Sequence, residues 1–318
     1  MQRSIATVSL SGTLPEKLEA IAAAGFDGVE IFENDLLYYA GSPRQVRQMC
    51  ADLGIAITLF QPFRDFEGCR RDRLQKNLDR AERKFDLMQE LGTDLVLVCS
   101  NVQADALGDE QLLVDDLRLL GEHAGKRGLR IGYEALAWGR HVNTYQQVWN
   151  LVRQADHPAL GVILDSFHTL SLKGDPSAIR DIPGDKIFFV QMADAPILAM
   201  DVLEWSRHFR CFPGQGEMDM AGFLAPILAT GYRGPLSLEI FNDGFRAAPT
   251  RQNAADGLRS LLYLEEQTRL RLEQENTPIE PGVLFSPPPA SAYDGVEFLE
   301  FAVDEAVGAR LGLSLIHI

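Results

Sequence analysis

Gly128-Leu129-Arg130-Ile131-Gly132-Tyr133-Glu134 is the phrase from which this 318-residue chain is built: a helix-closing glycine, a short apolar run that reads as a buried strand, and an acid at its end. Leu160-Gly161-Val162-Ile163-Leu164 leads in the same way to Asp165, Ile187-Phe188-Phe189-Val190 to Gln191, and Leu236-Ser237-Leu238 to Glu239. Working outward, apolar runs at 5–8, 28–32, 55–60 and 95–99 join those at 129–134, 160–165, 186–191 and 236–239 to make eight predicted strands. Amphipathic segments between them predict helices at 15–24, 43–53, 71–91, 109–127, 145–155, 176–182, 220–230 and 251–271. Short strands alternating with helices mark a parallel sheet covered by helices. Gly25, Gly54, Gly92, Gly128 and Gly231, each just before a strand, suit left-handed helix caps. The repeat predicts an α/β fold, a (β/α)8 TIM barrel, for which about 250 residues suffice. An open doubly wound sheet would alternate similarly, but Ser9-Leu10-Ser11-Gly12-Thr13 after the first strand lacks the glycine spacing of a dinucleotide-binding turn.

The barrel is expected to occupy residues 1–272. Residues 273–292, with Pro278, Pro281 and the Pro287-Pro288-Pro289 run, read as an extended linker. A new apolar pattern begins at Tyr293-Asp294-Gly295-Val296-Glu297-Phe298, so 293–318 reads as the start of a further domain that the chain does not complete.

The formal charge of −15, from 30 basic and 45 acidic residues, argues against general affinity for nucleic acid or an anionic membrane, both of which need a positive face. Cys50, Cys69, Cys99 and Cys211 are scattered without a Cys-x-x-Cys pairing, as expected of reduced thiols. The N-terminal stretch has no apolar core of a secretory signal, and no segment approaches the roughly 20 apolar residues of a membrane span. A cytoplasmic protein is expected, and self-association into a homo-oligomer is compatible with this composition.

A parallel barrel gathers its strand ends at one face, where catalytic groups collect. Glu134, Asp165, Gln191 and Glu239 are therefore expected to meet, and three carboxylates brought together repel one another unless a cation sits between them. Oxygen ligands of this kind favour a divalent ion, with Mg²⁺, Mn²⁺ and Co²⁺ as candidates. His168, three residues beyond Asp165, is placed to exchange a proton beside the metal, to pack under the loop, or to be a ligand itself. The long loop after Gln191 carries Ser206, Arg207 and Arg210, and Arg64 follows the third strand in Phe60-Gln61-Pro62-Phe63-Arg64-Asp65. An arginine clamps a carboxylate by two-point contact, so Arg210 or Arg207, Ser206 and Arg64 are candidates for binding an anionic substrate.

The segments Gly25-Phe26-Asp27-Gly28-Val29-Glu30, Tyr133-Glu134, Asp165-Ser166-Phe167-His168, Phe189-Val190-Gln191-Met192-Ala193-Asp194 and Gly214-Gln215-Gly216-Glu217-Met218-Asp219 together resemble the sugar phosphate isomerase/epimerase superfamily of xylose-isomerase-like barrels. Many of its members have histidine on the seventh strand where this chain has Gln191, a departure that points away from a sugar isomerase. Gln61-Pro62-Phe63-Arg64-Asp65-Phe66-Glu67-Gly68 and the loop through Ser206, Arg210 and Gly216 are more similar to the bacterial 3-dehydroshikimate dehydratases. That resemblance implies metal-dependent conversion of a small cyclic carboxylic acid, 3-dehydroshikimate, to protocatechuate, with His168 as base and Arg210, Ser206 and Arg64 holding the substrate. It also implies a further domain similar to 4-hydroxyphenylpyruvate dioxygenase, beginning near Tyr293. The residues alone leave open a sugar or keto-sugar isomerase/epimerase, a metal-dependent endonuclease, and a binding module in which the ring is a structural cation site.

Overall fold

The structure, a computed structural model, describes residues 1–289 together with Ala292 and Gly295. The further domain expected over 293–318 otherwise lies outside the described residues. Eight strands, β1 (Arg3–Ala6), β2 (Gly28–Phe32), β3 (Ala56–Arg64), β4 (Leu95–Cys99), β5 (Arg130–Glu134), β6 (Leu160–Asp165), β7 (Ile187–Met192) and β8 (Leu236–Leu238), pair in chain order into a closed parallel barrel. Closure comes from β8 on β1, with Ser4 opposite Ser237 and Ile5 opposite Leu238. The TIM-barrel expectation is borne out.

The outer layer is formed chiefly by α1 (Leu14–Ala24), α3 (Pro43–Asp52), α4 (Leu74–Leu91), α5 (Glu110–Gly125), α6 (Tyr145–Ala155), α9 (Met220–Ala229) and α10 (Thr250–Gln274). Starts of α3 and α6 follow from reciprocal caps. Ser42 Oγ accepts from Gln45 N at 3.3 Å while Gln45 Oε1 accepts from Ser42 N at 2.7 Å, and Thr144 and Gln147 repeat the arrangement. Three short helices escape the sequence pattern: α2 (Glu33–Leu37), α7 (Ser166–Ser171) and α8 (Val202–His208). Each is too short to display a helical period. The predicted helix at 176–182 is a 3₁₀ turn, and β3 runs on through Arg64, which is thus a strand residue and not a loop residue.

Strand parity produces two cores. Val96, Val98, Ile131, Tyr133, Val162, Leu164, Val190, Leu236 and Leu238 pack outward with the helices. Leu59, Leu95, Leu97, Cys99, Ile163 and Phe189 fill the barrel interior. Because side chains alternate along a strand, Glu134, Asp165, Gln191 and Glu239 fall on the interior parity set by these neighbours. Gly132 shows how tightly the interior is filled, since a Cβ there would lie 2.4 Å from Ile163 Cδ1.

The compact unit extends to Ser286. Beyond α10 the chain turns back against the barrel, where Val283 O accepts from the Met1 ammonium at 3.0 Å and Glu265 accepts from Phe285 N at 2.6 Å. All four cysteines are buried and unpaired, and among the described residues no helix is long and apolar enough to cross a membrane.

Tyr133 donates its hydroxyl to Glu67 Oε1 at 2.9 Å, and Asn101 N donates to the same oxygen at 2.5 Å. Glu67 Oε2 is buried without a partner, and burial pushes this carboxyl up to about 8. A carboxyl raised on folding stabilises the fold while protonated and loses that contribution as pH climbs toward its folded value. Glu67→Gln, which stays neutral, is expected to gain stability relative to the wild type as pH rises from about 5 to about 8, measured as the difference in Tm; a pH-independent difference contradicts this.

Candidate active site

Glu134 and Asp165 end β5 and β6, Gln191 is the penultimate residue of β7, and Glu239 directly follows β8. All four are buried at the C-terminal mouth of the barrel. Asp165 also caps α7, accepting from His168 N at 3.1 Å, so the strand end and the helix that carries His168 are fixed by one carboxylate.

Arg210 is the residue that organises the mouth. Its side chain is 1% exposed, and its Nη1 lies 2.8 Å from Asp165 Oδ2 and 3.0 Å from Glu239 Oε2. Nη2 lies 3.2 Å from His168 Nε2 and donates to Ser206 Oγ at 2.8 Å. The guanidinium also rests on the Phe167 ring, 4.7 Å from its centroid. Burial alone would lower its pKa, but the carboxylates of Asp165, Glu239 and Glu134 outweigh burial and raise it.

One cation does not balance this cluster. Burial pushes Glu134 well above the carboxylate range, with Asp165 and Glu239 adding to the rise and Arg210 and Arg64 opposing it. Glu239 is likewise raised by burial against the pull of Arg210. Glu134 Oε1 and Gln191 Oε1 are both buried with no hydrogen-bond partner. An unsatisfied buried acceptor costs about 1–3 kcal/mol, and a cation shared by the two relieves both. Glu134, Asp165 and His168 each offer a ligand atom, all within 4.8 Å of one another. The donor set fits a divalent metal.

Beneath the mouth lies a buried layer that sequence reasoning missed. Glu30, midway along β2, accepts from Gln61 Nε2 and from Gln191 Nε2, each at 2.7 Å, and from Ser237 Oγ. Glu30 has no exposure, and burial, followed by the charge of Glu239, holds its carboxyl well above the usual range. Since Gln191 commits its amide nitrogen to Glu30, its unpartnered oxygen is fixed on the other side of the planar amide. The available signal was an acid at interior parity in a strand, Gly28-Val29-Glu30, but attention to strand ends passed over it.

His168 is sandwiched between donors. Ala137 N points at Nδ1 from 3.2 Å, while Arg210 faces Nε2, and the Trp138 ring stands edge-on at 5.1 Å. Burial drives its pKa down to about 3 against the pull of Asp165, with Arg210 and Arg64 deepening the fall. Arg64 and Arg207 line a small cavity together with Glu134, His168, Ser206, Arg210 and Glu239. The structure thus brings Arg64, Ser206 and Arg210 to the mouth with His168, whereas Asp165 and Gln191 lie behind that cavity and do not line it.

Asp194 fixes the loop that delivers Ser206 and Arg210. Its carboxylate accepts from the backbone of Ala195 at 2.8 Å, Gly214 at 3.0 Å, Gly216 at 3.1 Å and Met218 at 3.0 Å. A Cβ on Gly216 would approach Asp194 Oδ1 to 2.3 Å, so this close wrap needs glycine.

Residues 18–264 match the family described as a xylose isomerase-like TIM barrel. The chain belongs to that family. Among relatives of this xylose isomerase-like barrel, a 3-dehydroshikimate dehydratase of Pseudomonas aeruginosa is 78% identical over 312 residues, 98% of the chain. The chain spans about half (49%) of that relative's length. A 3-dehydroshikimate dehydratase of Neurospora crassa is 25% identical over 296 residues, covering 72% of the chain and 82% of the relative. The crystal structure of the IolI protein with a bound zinc atom superposes with a TM-score of 0.77 at 19% identity, over 84% of this chain and 99% of that one. At that identity the likeness establishes the fold alone.

Asp194→Ala leaves one buried and three part-buried amides without this acceptor and is expected to cost about 3 kcal/mol in a urea-unfolding measurement. Unchanged stability would mean that the loop holds its course without this carboxylate.

Proposed function

We propose that the chain dehydrates 3-dehydroshikimate to protocatechuate, 3,4-dihydroxybenzoate, in the breakdown of quinate and shikimate, using Mg²⁺, Mn²⁺ or Co²⁺ held by Glu134, Asp165, Gln191 and Glu239. The observation that carries this is the 78% identity to the Pseudomonas aeruginosa 3-dehydroshikimate dehydratase over 98% of the chain. A bound divalent ion supplies Lewis-acid polarisation of a carbonyl, typically worth several kcal/mol.

The protein's own residues account for binding and proton transfer. Arg210, Ser206 and Arg64 take the substrate carboxylate and hydroxyls and fix the ring against His168. His168 removes the C6 proton; the electrons of that bond move into the ring as the C5–O bond breaks. The imidazolium returns its proton to the departing hydroxyl, which leaves as water. Transfer of the C4 proton to the C3 oxygen then completes the aromatic ring and leaves His168 neutral.

The direct test is absorbance of the catechol acid formed from 3-dehydroshikimate with each of the three cations. Product that requires a cation and disappears on chelation is the expected result; no product with any of the three, or full turnover after exhaustive chelation, contradicts it.

The proximity of His168 to Glu134 and Asp165 favours a second role, as a metal ligand. His168→Asn separates the two. As the base, its loss lowers kcat by about 10²- to 10⁴-fold with metal content intact; loss of the metal from the variant assigns it to the ligand set.

A further inference from the structure

Outside the ring, between the ends of β2 and β3 and the helix α4, lies a cavity of about 470 Å³. Arg64, Arg80, Arg83, Lys84 and Arg207 line it, with Glu33 as its one acidic residue. This is an unusual concentration of positive charge on a chain whose formal charge is −15. Glu33 is taken by an ion pair with Lys84. Arg80 is braced by Asn77 Oδ1 at 2.9 Å and by the carbonyl of Arg64 at 3.3 Å, with its guanidinium 5.2 Å from the Phe63 centroid. Among the described residues, Arg64, Arg83 and Arg207 make no ion pair, so three guanidinium groups on one cavity remain available to an anion.

The remaining walls are Phe32, Pro62, Phe63 and Leu87, which are apolar, and the polar Asn34. Arg64 and Arg207 line both this cavity and the small one beside Glu134 and His168, so the two share a wall. Guanidinium groups grip a carboxylate in a fork, and aromatic and proline surfaces accept a flat hydrocarbon body. We propose that this cavity is an outer site for a planar carboxylic acid, where an aromatic or cyclic carboxylate docks on its way to or from the ring. It deepens the function proposed above by giving an anionic substrate a route across a predominantly negative surface, since a basic cleft concentrates anions locally.

Benzoate probes the site without turnover, because it lacks the vicinal oxygens of the proposed substrate. Failure of the dehydratase function therefore leaves this test intact. Benzoate titrated into the full chain by calorimetry at low ionic strength is expected to bind saturably. Arg83→Glu, an exposed change that touches only the outer cavity, should weaken binding at least fivefold, whereas Arg259→Glu, an equal charge change on α10, should not. Inorganic phosphate, titrated alongside, separates recognition of a carboxylate with an apolar body from a general anion site. Absence of saturable benzoate binding, equal effects of the two substitutions, or tighter binding of phosphate than of benzoate would overturn the proposal.

Discussion

The contact of the Arg210 guanidinium with Asp165 and Glu239 is the interaction on which the mouth of this barrel depends. Carboxylates from β6 and from the end of β8 converge because the strands are parallel and the barrel closes, and a buried pair of like charges is costly without a partner. Arg210 supplies one positive charge from a loop, and that loop holds its course through the carboxylate of Asp194. The same guanidinium faces His168 and Ser206, so the electrostatic balance of the ring and the setting of His168 are a single arrangement.

Glu134 stands apart in this arrangement, with one oxygen lacking any partner, and so does Gln191. Glu30 explains the orientation of the second. A carboxylate deep in the barrel that engages the amide nitrogens of Gln61 and Gln191 makes Gln191 an oxygen donor of fixed direction. A histidine at the same strand position would meet Glu30 through a ring nitrogen and present a different donor to the mouth, which gives the glutamine a consequence for the chemistry of the ring as well as for its geometry.

The fold was legible because apolar runs recur with their own punctuation: an acid or amide closes or directly follows β5, β6 and β8 and stands just before the end of β7, and a glycine closes the helix before β2, β3, β4, β5 and β8. The four ring positions were legible for the same reason, since strand parity and strand ends are local properties. What lay beyond local pattern was missed. Glu30 sits within a strand, where nothing in its neighbours reveals that Gln61, Gln191 and Ser237 will converge on it. Arg210 could be recognised as a cation on a functional loop, but its partners depend on the path of that loop, which is set by contacts of Asp194 with distant backbone amides. The short helices α2, α7 and α8 have no period to detect, although one of them presents His168.

The central claim is that the buried oxygens at the barrel mouth hold one divalent cation. Mn²⁺ titrated into the metal-stripped chain and followed by electron paramagnetic resonance measures this directly. One bound Mn²⁺ per chain, with affinity reduced at least tenfold by Glu134→Gln, is the predicted result; no saturable binding, or an affinity indifferent to that substitution, would contradict it.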